Sequence, residues 1–158
     1  MAIERQQEVH VFEFLDPEHI EALRDASEVI DLEPGDLVYG QGYSASYFYI
    51  VLQGAVALRL PGRGSASILI EELAEGSMFG SFCSQALDSY FCSAKCMRET
   101  KLLRIPTAAL DDVLMEDPRL GYAIQSRISR YFFKRYLESM KRMQSIVMSI
   151  GNRWESWG

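Results

Sequence analysis

Cysteine, histidine and proline are scarce in this chain. Its 158 residues include three cysteines, two histidines and five prolines. An odd cysteine count with no CxxC spacing does not form a disulfide framework. His10 and His19 lie far in sequence from Cys83, Cys92 and Cys96. A zinc centre needs three or four clustered ligands, so neither a metal nor a cofactor is expected. The histidines read as surface or helix-packing residues rather than haem ligands. No Ser-His-Asp set, Cys-His pair or P-loop is legible, which argues against an enzyme. No run of roughly 18 apolar residues exists, so no membrane span is expected. The N-terminus lacks an apolar secretory segment behind a basic start, which makes the cytoplasm the expected location.

What is present is an ordinary apolar fraction, 48%, and a net charge of −6 that is unevenly spread. Residues 1–118 carry 8 Lys/Arg against 20 Asp/Glu, whereas residues 119–158 carry 8 against 2. An acidic body is unlike a chain that binds nucleic acid along its length. Asp16-Pro17 signals a first helix, with Ile20, Leu23 and Ala26 at helical spacing and Phe12, Phe14 and Leu15 ahead of it. From Val29 the period changes. Short apolar, aromatic and β-branched runs follow, separated by Glu33-Pro34-Gly35-Asp36, Gly40-Gln41-Gly42, Gln53-Gly54, Pro61-Gly62-Arg63-Gly64-Ser65 and Glu75-Gly76-Ser77. Many short strands between Gly and Pro turns predict a mainly β chain with flanking helices, a barrel or jelly roll. Residues 81–92 stay ambiguous. Thr107 caps a short helix, and Asp117-Pro118 repeats the helix-start signal. From Arg119 to about Ile150 apolar residues recur every three to four positions.

The spacing of Pro34-Gly35, Gln41-Gly42, Phe48-Tyr49-Ile50-Val51, Gly54 and Val56 resembles the cyclic nucleotide-binding domain family. So does Glu75-Gly76-Ser77-Met78-Phe79-Gly80, which opens the region matching that family's phosphate-binding cassette. Leu102-Leu103-Arg104-Ile105-Pro106 resembles its last barrel strand. The long helix resembles the dimerisation helix of catabolite-activator and Crp/Fnr-type regulators. The resemblance implies a double-stranded β-helix (jelly-roll) barrel domain with its N-terminal helix over residues 1–118, a long C-terminal dimerisation helix over 119–150 and a tail over 151–158. Gly35, Gly42, Gly54 and Gly80 are expected to take positive φ or admit a close backbone approach.

The cassette departs from the family pattern. Ser81 stands where the family's Glu holds the ribose hydroxyl, and Cys92 where its Arg pairs with the cyclic phosphate. A guanidinium is the natural partner of a buried phosphate, and a thiol cannot replace it. Lys95 and Arg98 are nearby, with their direction left open by strand alternation. The candidate ligand residues are Phe79, Gly80, Ser81, Phe82, Cys83, Cys92, Ser93 and Ala94, in an apolar pocket that also draws on Tyr90 and Phe91. The expected function is a non-enzymatic regulatory or sensor module that binds a non-standard ligand or none. A genuine cyclic AMP or cyclic GMP regulator and a cysteine-based redox sensor are the alternatives. The bland reading of Cys83, Cys92 and Cys96 is three small core residues. The long helix is expected to form a homodimer through Ile124, Ile128, Tyr131, Phe132, Met140, Met143 and Val147, and to relay a signal to a protein partner. Regulators of this type carry a helix-turn-helix domain after this helix. Only residues 151–158 follow here, so this chain alone is not expected to bind DNA.

Overall fold

Glycine and proline punctuation divides residues 28–106 into eight short strands. In the computed structural model, which describes residues 21, 23–83 and 87–155 (152–155 by backbone alone), these pair into two antiparallel sheets. The strands are β1 (Glu28–Leu32), β2 (Leu37–Tyr39), β3 (Tyr47–Gln53), β4 (Ala55–Pro61), β5 (Ser67–Ala74), β6 (Met78–Gly80), β7 (Ser93–Cys96) and β8 (Thr100–Pro106). The first sheet has the order β1-β8-β3-β6 and the second β2-β7-β4-β5. The expected jelly roll is thus a sandwich of two four-stranded layers. Helix α1 (Thr107–Glu116) and helix α2 (Pro118–Glu155) follow. The expected first helix, with His10, Phe12, Phe14, Leu15, Asp16, Pro17, His19 and Ile20, lies outside the described residues. Residues 21 and 23–25 are helical, and Leu23 is fully buried.

The two inner faces build one core. Tyr49, Val51, Phe79 and Leu102 come from the first sheet, and Tyr39, Val56, Leu58, Leu73, Ala94 and Cys96 from the second. Strand alternation explains the set, because residues two apart share a face. In β3 and β8 the intervening residues Phe48, Ile50, Leu52, Leu103 and Ile105 are buried as well. These two strands therefore read as continuous apolar runs, the mark of a strand covered on both sides. Helix α1 packs against β8 and buries Leu110 and Leu114. The β4–β5 pairing steps from Leu58↔Glu71 to Arg59↔Leu69, so Ile70 is an extra, bulged residue. The bulge shifts the face of β5 and leaves Ile68, Leu69 and Ile70 all exposed.

Positive φ occurs at all four glycines expected to need it. Two of them also sit where another part of the chain passes very close. A Cβ on Gly54 would lie 2.4 Å from the Glu99 carbonyl oxygen, and one on Gly80 would lie 2.6 Å from that of Tyr47. Gly54 turns β3 into β4 directly beneath the β7–β8 turn. There Thr100 Oγ1 accepts from the Ala55 amide at 3.3 Å.

The chain divides into two compact units between Glu116 and Asp117. The second begins where Asp117 accepts from the amides of Arg119 and Leu120 through one carboxylate oxygen, at 3.0 and 3.3 Å. That cap and Pro118 at the first helical position start α2 as the sequence implies. The helix continues to Glu155, past its expected end near Ile150. Gly151 costs only about 1 kcal/mol in a helix interior, too little to stop it, and no proline follows.

Replacing Gly54 with Ala combines left-handed strain with a backbone clash. It should cost at least about 2 kcal/mol in urea unfolding. Gly64→Ala, at φ +67° with open space around it, should cost about 1 kcal/mol. Equal losses at the two positions would contradict the role given to the Gly54 contact.

Candidate functional site

The cassette leaves the first sheet at Gly80, whose φ of +88° turns the chain from β6. The next residue, Ser81, is almost wholly buried. Its amide donates to the Tyr47 carbonyl at 2.9 Å, and its hydroxyl donates to the Cys83 carbonyl at 3.2 Å. Its own carbonyl accepts from Thr107 Oγ1 at 2.7 Å. Ser81 thereby ties β6, β3 and the start of α1 together. Its hydroxyl hydrogen is engaged by its own loop rather than aimed into the barrel. On the return, residues 88–90 dock along residues 42–45. The Gly42 amide donates to the Tyr90 carbonyl, the Tyr90 amide to Tyr43, and the Ala45 amide to Asp88.

This docking seats Tyr90 inside the barrel. Its ring stacks on Tyr39 with centroids 3.7 Å apart, and Tyr49 stacks on Phe79 at 5.1 Å. Tyr39 meets both members of the second pair, at 5.8 and 6.1 Å. The Tyr90 hydroxyl accepts from the Tyr47 amide at 3.0 Å and donates to the Tyr47 carbonyl at 2.9 Å. Burial raises the pKa of Tyr90, and it raises that of Tyr49 further with the Tyr90 phenol alongside. Both phenols are neutral at physiological pH, so this part of the interior is aromatic and uncharged.

The expected ligand residues divide between two faces. Phe79, Cys92 and Ala94 join Tyr90 in the one core cluster. Gly80 and Ser81 form the turn beside it, and Phe82 and Cys83 are half-buried. Ser93 points the other way, and its hydroxyl donates to the Arg59 carbonyl at 3.1 Å. Phe91, expected in the pocket lining, is instead 68% exposed, because alternation through Cys92 sends it outward. Cys83 likewise departs from the reading of three core cysteines, whereas Cys92 and Cys96 fit it. Lys95 and Arg98 are both exposed.

The guanidinium on the inner face is one that sequence reasoning passed over. Arg104 lies opposite Tyr49 on β3 and opposite Glu28 on β1. It pairs with the Glu28 carboxylate and sits 4.7 Å over the Tyr47 ring. The signal was the two-residue step from buried Leu102, which places Arg104 on the same face. Among the described residues no group of three His, Cys, Asp or Glu side chains could hold a metal ion. No described helix is long and apolar enough to cross a membrane.

Along α2 the expected pairing residues also fall on two faces. Ile124 and Ile128 are buried, Tyr131 and Phe132 are half-buried, and Met140, Met143 and Val147 are exposed. At 100° per residue the exposed three lie about a third of the way around the helix from Ile124 and Ile128. They belong to a seam that sequence reading left incomplete: Phe133, Tyr136, Met140, Met143, Val147 and Ile150, all exposed at alternating spacings of three and four.

A family model described as the cyclic nucleotide-binding domain matches residues 29–117. No curated protein matches the chain. Solved structures do. A cyclic nucleotide-binding domain from Methylobacillus flagellatus superposes with a TM-score of 0.77 at 16% identity, covering 87% of this chain and 80% of that one. A putative cyclic nucleotide-binding protein from Geobacter metallireducens gives 0.70 at 19%, covering 85% and 98%. The sensor domain of the transcriptional regulator DNR from Pseudomonas aeruginosa gives 0.68 at 24%, covering 85% and 94%. These likenesses establish the jelly-roll fold.

The burial of the thiols generates a direct expectation. Burial pushes the Cys96 thiol up from its ordinary value, and Cys92 is packed among rings. In the native protein at neutral pH a disulfide reagent should therefore titrate Cys83 quickly and the other two only on unfolding. Fast modification of all three would contradict this packing.

Proposed function

Because the chain belongs to the cyclic nucleotide-binding domain family, we propose that it is a non-enzymatic regulatory module whose barrel no longer takes the cyclic nucleotide. The observation that carries this reading is the state of Ser81 and Cys92. The first stands at the family's ribose-binding position and turns its hydroxyl onto the Cys83 carbonyl. The second stands at the phosphate-binding position and is buried in the core with Tyr90 and Phe79. A phosphate monoanion taken among these rings would lose its water and gain no cation from the cassette. Such a desolvation costs several kcal/mol.

In this reading residues 1–118 are the sensing or scaffolding part, and the helix over 119–150 relays to a partner in the cytoplasm. A non-standard, less charged ligand fits an aromatic interior better than a nucleotide does. The likeness to the sensor domain of a transcriptional regulator supports placing the chain in signal transduction. The exposed seam of α2 supports a homodimer. Its alternating three–four spacing is a heptad pattern, and Lys134, Arg135, Lys141 and Arg142 fall outside the seam. One feature favours a second reading, in which a cyclic nucleotide binds with substitute contacts. Arg104 is already on the inner face, although its charge is now met by Glu28. The redox reading draws no support from Cys96, whose thiolate is disfavoured by burial.

Thermal unfolding against millimolar cyclic AMP and cyclic GMP tests the nucleotide reading. A ligand at 100 times its Kd adds about 2.7 kcal/mol, a rise of roughly 5–11 °C for this size. The expected result is no rise with either, and a rise of that size restores the second reading. Sedimentation equilibrium tests the helix. The chain should be a dimer that the paired change Met140→Asp and Val147→Asp converts to monomer. A monomeric parent protein, or a variant that stays dimeric, rejects the seam.

A further inference from the structure

The outer face of the second sheet carries a cleft of about 630 Å³, remote from the aromatic interior. It is lined by Arg59 on β4, Ser67 on β5 and Ser93 and Lys95 on β7, with Leu37 and Met97 at its margin. Small-molecule sites commonly have this volume and this mixture of apolar surface with a few convergent polar groups. The strand register brings the two cations together. Arg59 faces Ser93 and Lys95 faces Ala57, so Arg59 and Lys95 are diagonal neighbours on one face, roughly 7–8 Å apart at their Cα atoms. Among the described residues neither has an ion-pair partner. Glu72 stands opposite Ala57 on the far strand and does not line the cleft.

The site is also held in place. Arg59 Nη1 donates to Ser67 Oγ at 2.9 Å, and the Ser93 hydroxyl fixes the Arg59 backbone from the other strand. The guanidinium keeps further N–H groups to donate, and the Ser67 hydroxyl, having accepted from Arg59, keeps its own hydrogen. The Lys95 stem lies over Gly35, its Cε 3.9 Å from where a Cβ would stand. Two adjacent unpaired cations repel until an anion lies between them. In a body as acidic as residues 1–118, that arrangement selects for a compact anion. We infer that this cleft binds a small organic phosphate, with the phosphate between Arg59 and Lys95 and the apolar portion on Leu37 and Met97. A guanidinium can hold two phosphate oxygens at once while an ammonium holds the third, a fit that a carboxylate matches less well.

Phenyl phosphate is a suitable probe, with inorganic phosphate and phenol as its two halves. Titration of the full chain, followed by amide NMR, should saturate at millimolar phenyl phosphate, with changes confined to β4, β5, β7 and the Gly35 turn. Inorganic phosphate should bind more weakly at the same place, and phenol should not saturate. Arg59→Gln and Lys95→Gln should each weaken binding by about tenfold or more without changing the unfolding midpoint, and Lys101→Gln should leave it unchanged. The inference is overturned by no saturation, by undiminished affinity in the two variants, or by changes centred on the barrel interior.

Discussion

The two sheets are held at their separation by four aromatic rings. Tyr39 comes from the second sheet, Tyr49 and Phe79 from the first, and Tyr90 from the segment that returns from the cassette. Their contacts cross the interior at the level where the family's ligand cassette opens. Each such ring pair contributes about 0.5–1.5 kcal/mol beyond its burial. Tyr90 adds a two-way hydrogen bond to the Tyr47 backbone, which also anchors the Ser81 amide. Phe79, Tyr90 and Cys92, at the two ends of the cassette, are therefore part of the core packing.

The same constraint explains what was and was not legible in the sequence. The glycines, the aromatic run at 47–52 and the apolar run of β4 declared the barrel, because each is a local requirement of turn or strand. Asp117 and Pro118 announced α2 by their capping chemistry, whereas Thr107, read as the cap of α1, is its first residue and donates its hydroxyl to the Ser81 carbonyl instead. Facing was harder within the cassette, where no period guides the eye. Tyr90 and Phe91 are adjacent and chemically alike, yet one is buried and the other is in solvent. The pairing of 88–90 with 42–45 seats Tyr90 inside, and alternation from there through Cys92 turns Phe91 out. Arg104 was hidden for the opposite reason. It sits in an apolar strand ending that reads as structure, and its partner Glu28 is 76 residues away.

On α2 the heptad spacing was visible but blended with a second apolar stripe. Ile124 and Ile128 are as apolar as Met140 and Val147, and periodicity alone merges the two sets. Burial separates them, because one set is covered and the other is exposed. A helix of 38 residues extends about 57 Å, and its exposed stripe coincides with its methionine-rich stretch. Thioether side chains adapt to more than one partner surface.

Whether the barrel interior admits a cyclic nucleotide decides the function of this chain. Methyl-labelled NMR reads this directly, since Val51, Val56, Leu58, Ala94 and Leu102 all lie within the ring cluster and sense any movement of the rings through their chemical shifts. With saturating cyclic AMP these methyl resonances should stay where they are in the free protein. A concerted shift of Ala94, Val56 and Leu102 would show that the nucleotide enters and that Ser81 and Cys92 do not close the site.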